Sequence, residues 1–310
     1  MEYIKGLVSV VIPTHNRQYL LQRAALSALK QTYKNIEVII VSDGSTDDTA
    51  TNIKTICDSD KRTIFIEYFP GKGGNHARNT GIKAARGEWV AFLDDDDEWH
   101  ETKIEKQMTL ARQDENIGLV CTGILAIYDS DGFTSVYIPN TPYDASKAIL
   151  LGNVIGSTTT VMMKHELLDA CGMFDEALVA RQDFDLWIRA CQMTKIGVVK
   201  EPCVDYHNLL SNNQVSWNYK KYADATEYIS KKYEWLYKEK LTDEEWAEVC
   251  ANNMFSIARK AMKVNNGRIA RQYIHKALQY KKKHIFILAW FGSFLPFPIL
   301  NWVYSKHFRR

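Results

Sequence analysis

Short apolar runs alternate with longer segments of mixed polarity through the first part of the chain. Residues 7–12, Leu-Val-Ser-Val-Val-Ile, form a β-branched run of strand length, and Pro13-Thr14-His15-Asn16-Arg17 ends it with turn chemistry. Over residues 19–32, Leu20, Leu21, Ala24, Leu26, Ala28 and Leu29 recur at helical spacing. Residues 36–41 predict a second buried strand. It runs into Ser42-Asp43-Gly44-Ser45-Thr46-Asp47-Asp48, a turn followed by N-capping residues. A helix is expected from there to Cys57, a third strand over 63–69, a flexible loop at Gly71-Lys72-Gly73-Gly74-Asn75 and a helix over 77–86. The fourth strand, 88–93, is apolar enough to be buried on both faces. Strands alternating with helices over short loops mean βαβ units and a parallel sheet, so the expected class is α/β.

Beyond His100 the alternation becomes irregular, and this half is expected to be mixed. A helix is predicted to Asp114, strands over 118–128 and 134–138 around the turn Asp129-Ser130-Asp131-Gly132, and a short helix over 143–151. Residues 157–163, Ser-Thr-Thr-Thr-Val-Met-Met, predict a strand, and Gly172-Met173-Phe174-Asp175-Glu176 a turn. Arg181-Gln182-Asp183-Phe184-Asp185-Leu186-Trp187 opens a helix to about Met193, and two short strands follow over 196–199 and 204–206. From Ser216 helical periodicity dominates to Lys283, with Trp and Tyr interleaved among Lys and Arg. The expected domains are 1–215 and a helical, basic C-terminal region, 216–310.

Charge sharpens that division. Residues 1–219 carry 21 Lys and Arg against 29 Asp and Glu, a net of −8, whereas residues 220–310 carry 18 against 8, a net of +10. The two parts should face different partners. The six cysteines show no C-x-x-C pair and no metal-ligand spacing, which fits reduced, mostly buried thiols in a cytoplasmic protein. The apolar start stops at Pro13 without a charged leader, so export is not expected.

The strongly apolar segment 285–304 is flanked by Lys281, Lys282, Lys283 and His284 on one side and Lys306, His307, Arg309 and Arg310 on the other. It is nearly long enough to span a bilayer, but Pro296 and Pro298 break it near the middle. Three readings stay open: a segment lying in an anionic membrane surface, an apolar tail packed on the protein's own helices, and a true span. The basic flanks and interfacial Trp and Tyr favour the first, through 281–310, on the inner face of the cell membrane. The apolar end also makes a membrane a better partner than nucleic acid.

The chemistry concentrates where the fourth strand ends in Asp94-Asp95-Asp96-Asp97. In open α/β sheets, ligands bind outside the carboxyl ends of the strands. Adjacent like charges repel by roughly 1 kcal/mol per close pair in water and more where water is scarce. Something positive should relieve them, and a hard divalent cation that also binds substrate phosphates is the natural candidate. A solvated acidic turn or a helix N-cap cluster is the plainer alternative.

Five pieces, in order, resemble glycosyltransferase family 2, the inverting, nucleotide-sugar-dependent transferases of type-A fold. They are Val11-Ile12-Pro13-Thr14-His15-Asn16-Arg17, Val41-Ser42-Asp43-Gly44-Ser45-Thr46-Asp47, Ala77-Arg78-Asn79-Thr80-Gly81, Phe92-Leu93-Asp94-Asp95-Asp96-Asp97 and Gln182-Asp183-Phe184-Asp185-Leu186-Trp187. The resemblance covers about residues 7–215. It implies a Rossmann-like, mostly parallel sheet flanked by helices. It also implies nucleotide contacts from Pro13, Thr14, Asn16, Asp43, Arg78, Asp94 and Asp95, with Asp43 accepting the uracil N3–H. Asp96 is the implied ligand of Mn²⁺ or Mg²⁺, and Asp183 the implied catalytic base. Gln182 departs from the family's Glu-Asp pair at this place, while Asp185 points elsewhere on the helix and reads as structural. His207 reads as a loop histidine.

What the resemblance implies is metal-dependent, inverting transfer of one sugar, expected to be UDP-linked, to a hydroxyl on a glycan or lipid-linked acceptor, as in surface polysaccharide assembly. A rival from another class is a non-catalytic nucleotide-sugar or membrane-binding protein derived from such a transferase. Intact Asp43, Asp96 and Asp183 argue against it. A nucleotidyltransferase would carry a Gly-rich basic loop where this chain has Pro13-Thr14-His15-Asn16-Arg17.

Overall fold

The computed structural model of the chain describes residues 2–128, 133–208, 218–296 and 299. Two compact units divide it. The first comprises Met1–Ile149, Asn153–Leu178 and Gln182–Leu210; the second comprises Leu150–Gly152, Val179–Arg181 and Ser211–Arg310.

The first unit is built on a sheet of nine described strands in the order β3-β2-β1-β4-β8-β6-β9-β5, with β7 paired to β6. Its first half comprises β1 (Ile4–Thr14), β2 (Ile36–Asp43), β3 (Thr63–Tyr68) and β4 (Gly87–Phe92), all parallel. From Leu7 on in β1, and in β2 and β4, the strands are buried on both faces because helices cover them, while the edge strand β3 is only half-buried. The helices are α1 (Gln18–Leu29), α2 (Thr49–Ser59) and α3 (Gly74–Ala84). Gly81 of α3 is forced by packing: a Cβ there would lie 2.4 Å from Val11 Cγ1.

Parallel pairing decides where the chemistry can go. Thr14 stands beside Ser42 and Val11 beside Phe92, so β1, β2 and β4 all finish at one sheet edge. The turns after them, with Thr14, Asp43 and Asp94–Asp97, therefore crowd together although they lie far apart in sequence.

The second half of the sheet is mixed, as expected. It contains β5 (Glu98–Trp99), α4 (Lys103–Ala111), β6 (Ile117–Tyr128), β7 (Phe133–Tyr137), α5 (Ala148–Leu151), β8 (Met162–Lys164), α6 (His165–Cys171), α7 (Gln182–Cys191) and β9 (Lys195–Asn208). Several expectations are corrected here. The strand predicted over 157–163 is a short 3-10 turn, Thr158–Thr160, followed by β8. The two short strands over 196–206 are one strand, β9, with register shifts opposite β6. The helix predicted over 143–151 forms only as α5. The sequence pattern gave no sign of β5 or α6. The predicted turn 129–132 lies outside the described residues.

The second unit is helical: α8 (Tyr219–Lys232), α9 (Glu234–Lys240), α10 (Asp243–Lys263), α11 (Gly267–Tyr280) and α12 (His284–Gly292). A capping box, Thr242 with Glu245, starts α10. Ala251, Ala258, Ala261, Ala270, Ile274, Ala277 and Phe286 form its core, and the five alanines let α10 and α11 approach closely. Within this unit the Arg181 guanidinium donates to Thr226 Oγ1 at 2.9 Å and Asn253 Oδ1 at 3.1 Å. Among the described residues no helix is long and apolar enough to cross a membrane. The basic flank at 306–310 lies outside the described residues.

Candidate active site

Thr14, at the end of β1, donates from Oγ1 to Asp95 Oδ2 at 2.7 Å. The other Asp95 oxygen accepts from Arg17 NH1 at 2.9 Å, and the same nitrogen reaches Asp96 Oδ2 at 2.8 Å. Arg78, on α3, donates to Asp94 Oδ1 at 2.6 Å. Arg23, on α1, donates to the Asp96 carbonyl at 2.7 Å and so fixes the backbone of the turn. The repulsion expected within the aspartate run is thus met in the protein itself by two guanidinium groups, Arg17 and Arg78.

The four carboxylates divide by exposure. Asp94 and Asp96 keep 26% and 17% of their side chains accessible, while Asp95 keeps 9%. Asp97 is buried and bonds to the His207 backbone amide, and its second oxygen has no hydrogen-bond partner. Burial pushes Asp95 up to about 6, opposed by Arg17. Burial and then the neighbouring Asp94 also raise Asp96, and Asp97 is raised well above the carboxylate range for the same reasons.

The donor set suits a hard divalent cation. Asp94 and Asp96 offer carboxylate oxygens at the accessible side of the turn. No group of three or more His, Cys, Asp or Glu side chains among the described residues is arranged to hold a metal unaided. The fit is to an ion that takes one or two carboxylates and completes its shell with phosphate oxygens and water.

A second side of this edge is built from the turns after β1 and β2. His15 Nδ1 contacts the Asp43 carbonyl at 2.7 Å, Asn16 N donates to Ser45 Oγ at 3.1 Å, and Thr46 N donates to Asn16 Oδ1 at 2.7 Å. Asn16 takes a left-handed conformation, φ +51°, to make this clasp. Pro13 and Thr14 are buried in β1, so Thr14 acts on Asp95, and Asn16 acts on the neighbouring turn.

Asp183 lies in the first turn of α7, half-buried, and its Oδ1 accepts from Phe184 N at 2.8 Å. The helix is held by Trp187, whose indole donates to the Gly156 carbonyl at 3.1 Å, in a loop organised by Asn153. Asp185 is fully buried and paired to Arg189 at 2.6 Å, a structural ion pair as expected. Burial first, and then the charges of Asp97, Asp94, Asp96 and Asp183, raise the phenol of Tyr206 on β9. Carboxylates 96 and 183 thus lie within electrostatic reach of one hydroxyl. His207 sits in β9 and not in a loop.

Arg17 and Tyr206 complete this arrangement, and the motifs do not single them out. The signal for Arg17 is the aspartate run, which demands a cation; spacing carries no signal for a partner so far away in sequence.

The model of the glycosyl transferase family 2 matches residues 9–172. An uncharacterised glycosyltransferase of Rickettsia conorii is 34% identical over 196 residues, 61% of this chain and 32% of its own. The first relatives matched are thus much longer, and this chain spans about a third of their length. A UDP-Glc:alpha-D-GlcNAc-diphosphoundecaprenol beta-1,3-glucosyltransferase, WfgD of Escherichia coli, is 29% identical over 212 residues, covering 68% of this chain and 80% of that one. Among solved structures, the mannosyltransferase PcManGT of Pyrobaculum calidifontis with GDP-Man and Mn²⁺ superposes with a TM-score of 0.62 at 18% identity, over 95% of this chain and 82% of that chain. Residues 1–349 of S. aureus TarS with UDP-GlcNAc give 0.58 at 16% identity, over 88% of this chain and 89% of that one.

Proposed function

This chain belongs to glycosyl transferase family 2 and has the type-A fold, and from that premise we propose that it is an inverting transferase that moves one sugar from a UDP-sugar to a hydroxyl acceptor. The observation that carries the reading is the shared sheet edge where Thr14, Asp43, Arg78, Asp94 and Asp96 meet.

Asp43 takes the uracil edge, where a carboxylate prefers a ring N–H. Arg78 neutralises the diphosphate as it leaves. Asp96, with Asp94 beside it, would hold Mn²⁺ or Mg²⁺, which would supply positive charge to stabilise the leaving diphosphate. Asp183 takes the proton from the acceptor hydroxyl as that oxygen attacks the anomeric carbon from the face opposite the diphosphate. A single displacement inverts the centre and needs no glycosyl-enzyme intermediate.

An acceptor carried on a polyprenyl diphosphate fits this reading, since WfgD by its name acts on one. The second unit supplies a membrane contact for such an acceptor through the apolar α12 and its neighbouring lysines. Screening nucleotide sugars by thermal shift with and without Mn²⁺ tests the donor. A rise confined to UDP-sugars and dependent on metal supports the reading; no response to any of them sinks it.

A further inference from the structure

Arg17 occupies an unusual place for a surface-turn arginine. One nitrogen, NH1, lies 2.9 Å from Asp95 Oδ1 and 2.8 Å from Asp96 Oδ2. The two carboxylates are not equivalent partners. Asp95 is committed to the protein on both sides, to Arg17 through one oxygen and to Thr14 through the other, and is nearly buried. Asp96 is the more accessible, its carboxylate partner is Arg17, and Arg23 fixes only its backbone. The arginine's own position is set by the clasp of Asn16 on Ser45 and Thr46.

We infer that Arg17 is a resident counter-cation for the acidic edge, anchored on Asp95 and exchangeable on Asp96, and that it couples metal binding to nucleotide binding. This rests on the metal-dependent reading given above. A divalent ion that approaches Asp96 alone must displace a guanidinium that stays beside it on Asp95, and like charges at such range repel. A diphosphate arriving with the ion reverses the balance, because it gives the released guanidinium N–H groups an anionic partner of matching geometry. Metal alone is therefore held weakly, and metal with nucleotide is held tightly. Premature metal capture is disfavoured, and the edge stays neutralised between turnovers. Reciprocity requires that the metal strengthen nucleotide binding by the same factor.

The test is Mn²⁺ titration of the full chain followed by the electron paramagnetic resonance of free Mn²⁺, with and without UDP. In the parent protein, UDP should tighten Mn²⁺ binding by at least about fivefold, the lower end of ordinary coupling. Arg17→Gln keeps much of the side chain's length and removes the charge. It should bind Mn²⁺ alone about tenfold more tightly than the parent and lose most of the gain from UDP. Arg17→Lys keeps the charge and should bind Mn²⁺ alone as weakly as the parent. The inference is overturned if Arg17→Gln binds Mn²⁺ alone no more tightly than the parent, or if Arg17→Lys gains as much as Arg17→Gln. Absence of coupling in the parent overturns it without recourse to a variant. A parent that binds no Mn²⁺ even with UDP overturns the metal-dependent reading as well.

Discussion

Asp43 accepts the backbone amides of Lys72 and Gly73 on its two carboxylate oxygens, at 2.6 and 2.8 Å. The end of β2 and the glycine loop are thereby one object. Close approach explains the glycine at 44, φ +66°, since a Cβ there would lie 2.3 Å from the Gly71 amide nitrogen. Each carboxylate oxygen has a further lone pair, so the same aspartate can hold its loop and still accept from a base.

Asp43→Asn should separate these two jobs poorly. The amide offers one acceptor oxygen and presents its NH2 group to a second backbone N–H, leaving that donor unpaired at a cost of about 1–3 kcal/mol. Loss of several degrees in melting temperature is expected, together with UDP affinity lower by roughly tenfold, the worth of a charge-assisted bond. Calorimetric titration with UDP that matches the parent would remove Asp43 from the base site.

Asp183→Asn should behave differently. The amide oxygen can still accept from Phe184 N, the 2.8 Å bond that the carboxylate makes now, so the helix start should survive. Proton abstraction should not, and transfer should fall by about 10²–10⁴, the usual range for a general base. Affinity for UDP with Mn²⁺ should stay within about twofold, because no binding charge next to phosphate is lost. Retained transfer in Asp183→Asn would assign the proton to another group.

The first half of the sheet was legible because strands buried on both faces leave continuous β-branched runs, as 7–12 and 36–41 do. The second half was less so, for identifiable reasons. The Thr158–Thr160 run looks like a strand, yet Thr160 Oγ1 bonds back to the Ser157 carbonyl at 2.8 Å, the local alternative that Ser and Thr offer the backbone. Glu201-Pro202 looks like a break in β9, but Pro202 falls beside a register shift opposite Gly123, where a ladder tolerates proline. Within the site, aspartates at strand ends announce themselves, while Arg17 and Tyr206 acquire meaning only when the sheet brings 95 and 183 near them.

Lys103 of α4 gives a prediction in pH. It is fully buried, bonds to Gln107 Oε1 at 2.9 Å, and burial pulls it down from the usual lysine range to about 7. The Trp99 ring, 3.9 Å from Nζ, favours the charged form by about 0.5–2 kcal/mol, less than the several kcal/mol that burying an ion costs. Between about pH 7 and pH 10 the unfolded chain holds the proton and the folded chain does not, so stability rises with pH across that window. Lys103→Met should remove this rise, up to about 1.4 kcal/mol per pH unit. Urea denaturation at pH 7.5 and 9.5, compared between parent and variant, reads the difference in slope; identical slopes would mean the folded lysine stays charged.

The last prediction concerns α12 within the second unit. Phe286 is buried in the helical core, and Ala289 and Trp290 pack against that core, so one face of the helix is accounted for. Leu288 and Phe291, three residues apart, share the opposite face and are 65% and 63% exposed. Lys281 and Lys283 are already paired with Glu248, which leaves Lys282 and His284, both exposed, as the remaining basic groups of the 281–284 flank. Apolar burial should therefore dominate over charge in any lipid contact, with Lys282 adding about 1 kcal/mol on an anionic surface. Leu288→Glu combined with Phe291→Glu places two charges in the apolar face and, on the packed side, gives up only the edge-on contact of Phe291 with Trp290 at 5.1 Å. This double variant should keep the parent's melting temperature within a few degrees and lose flotation with vesicles containing phosphatidylglycerol, whereas Lys282→Ala should weaken flotation only by about fivefold. Flotation of the double variant equal to the parent's would place the membrane contact elsewhere than on α12.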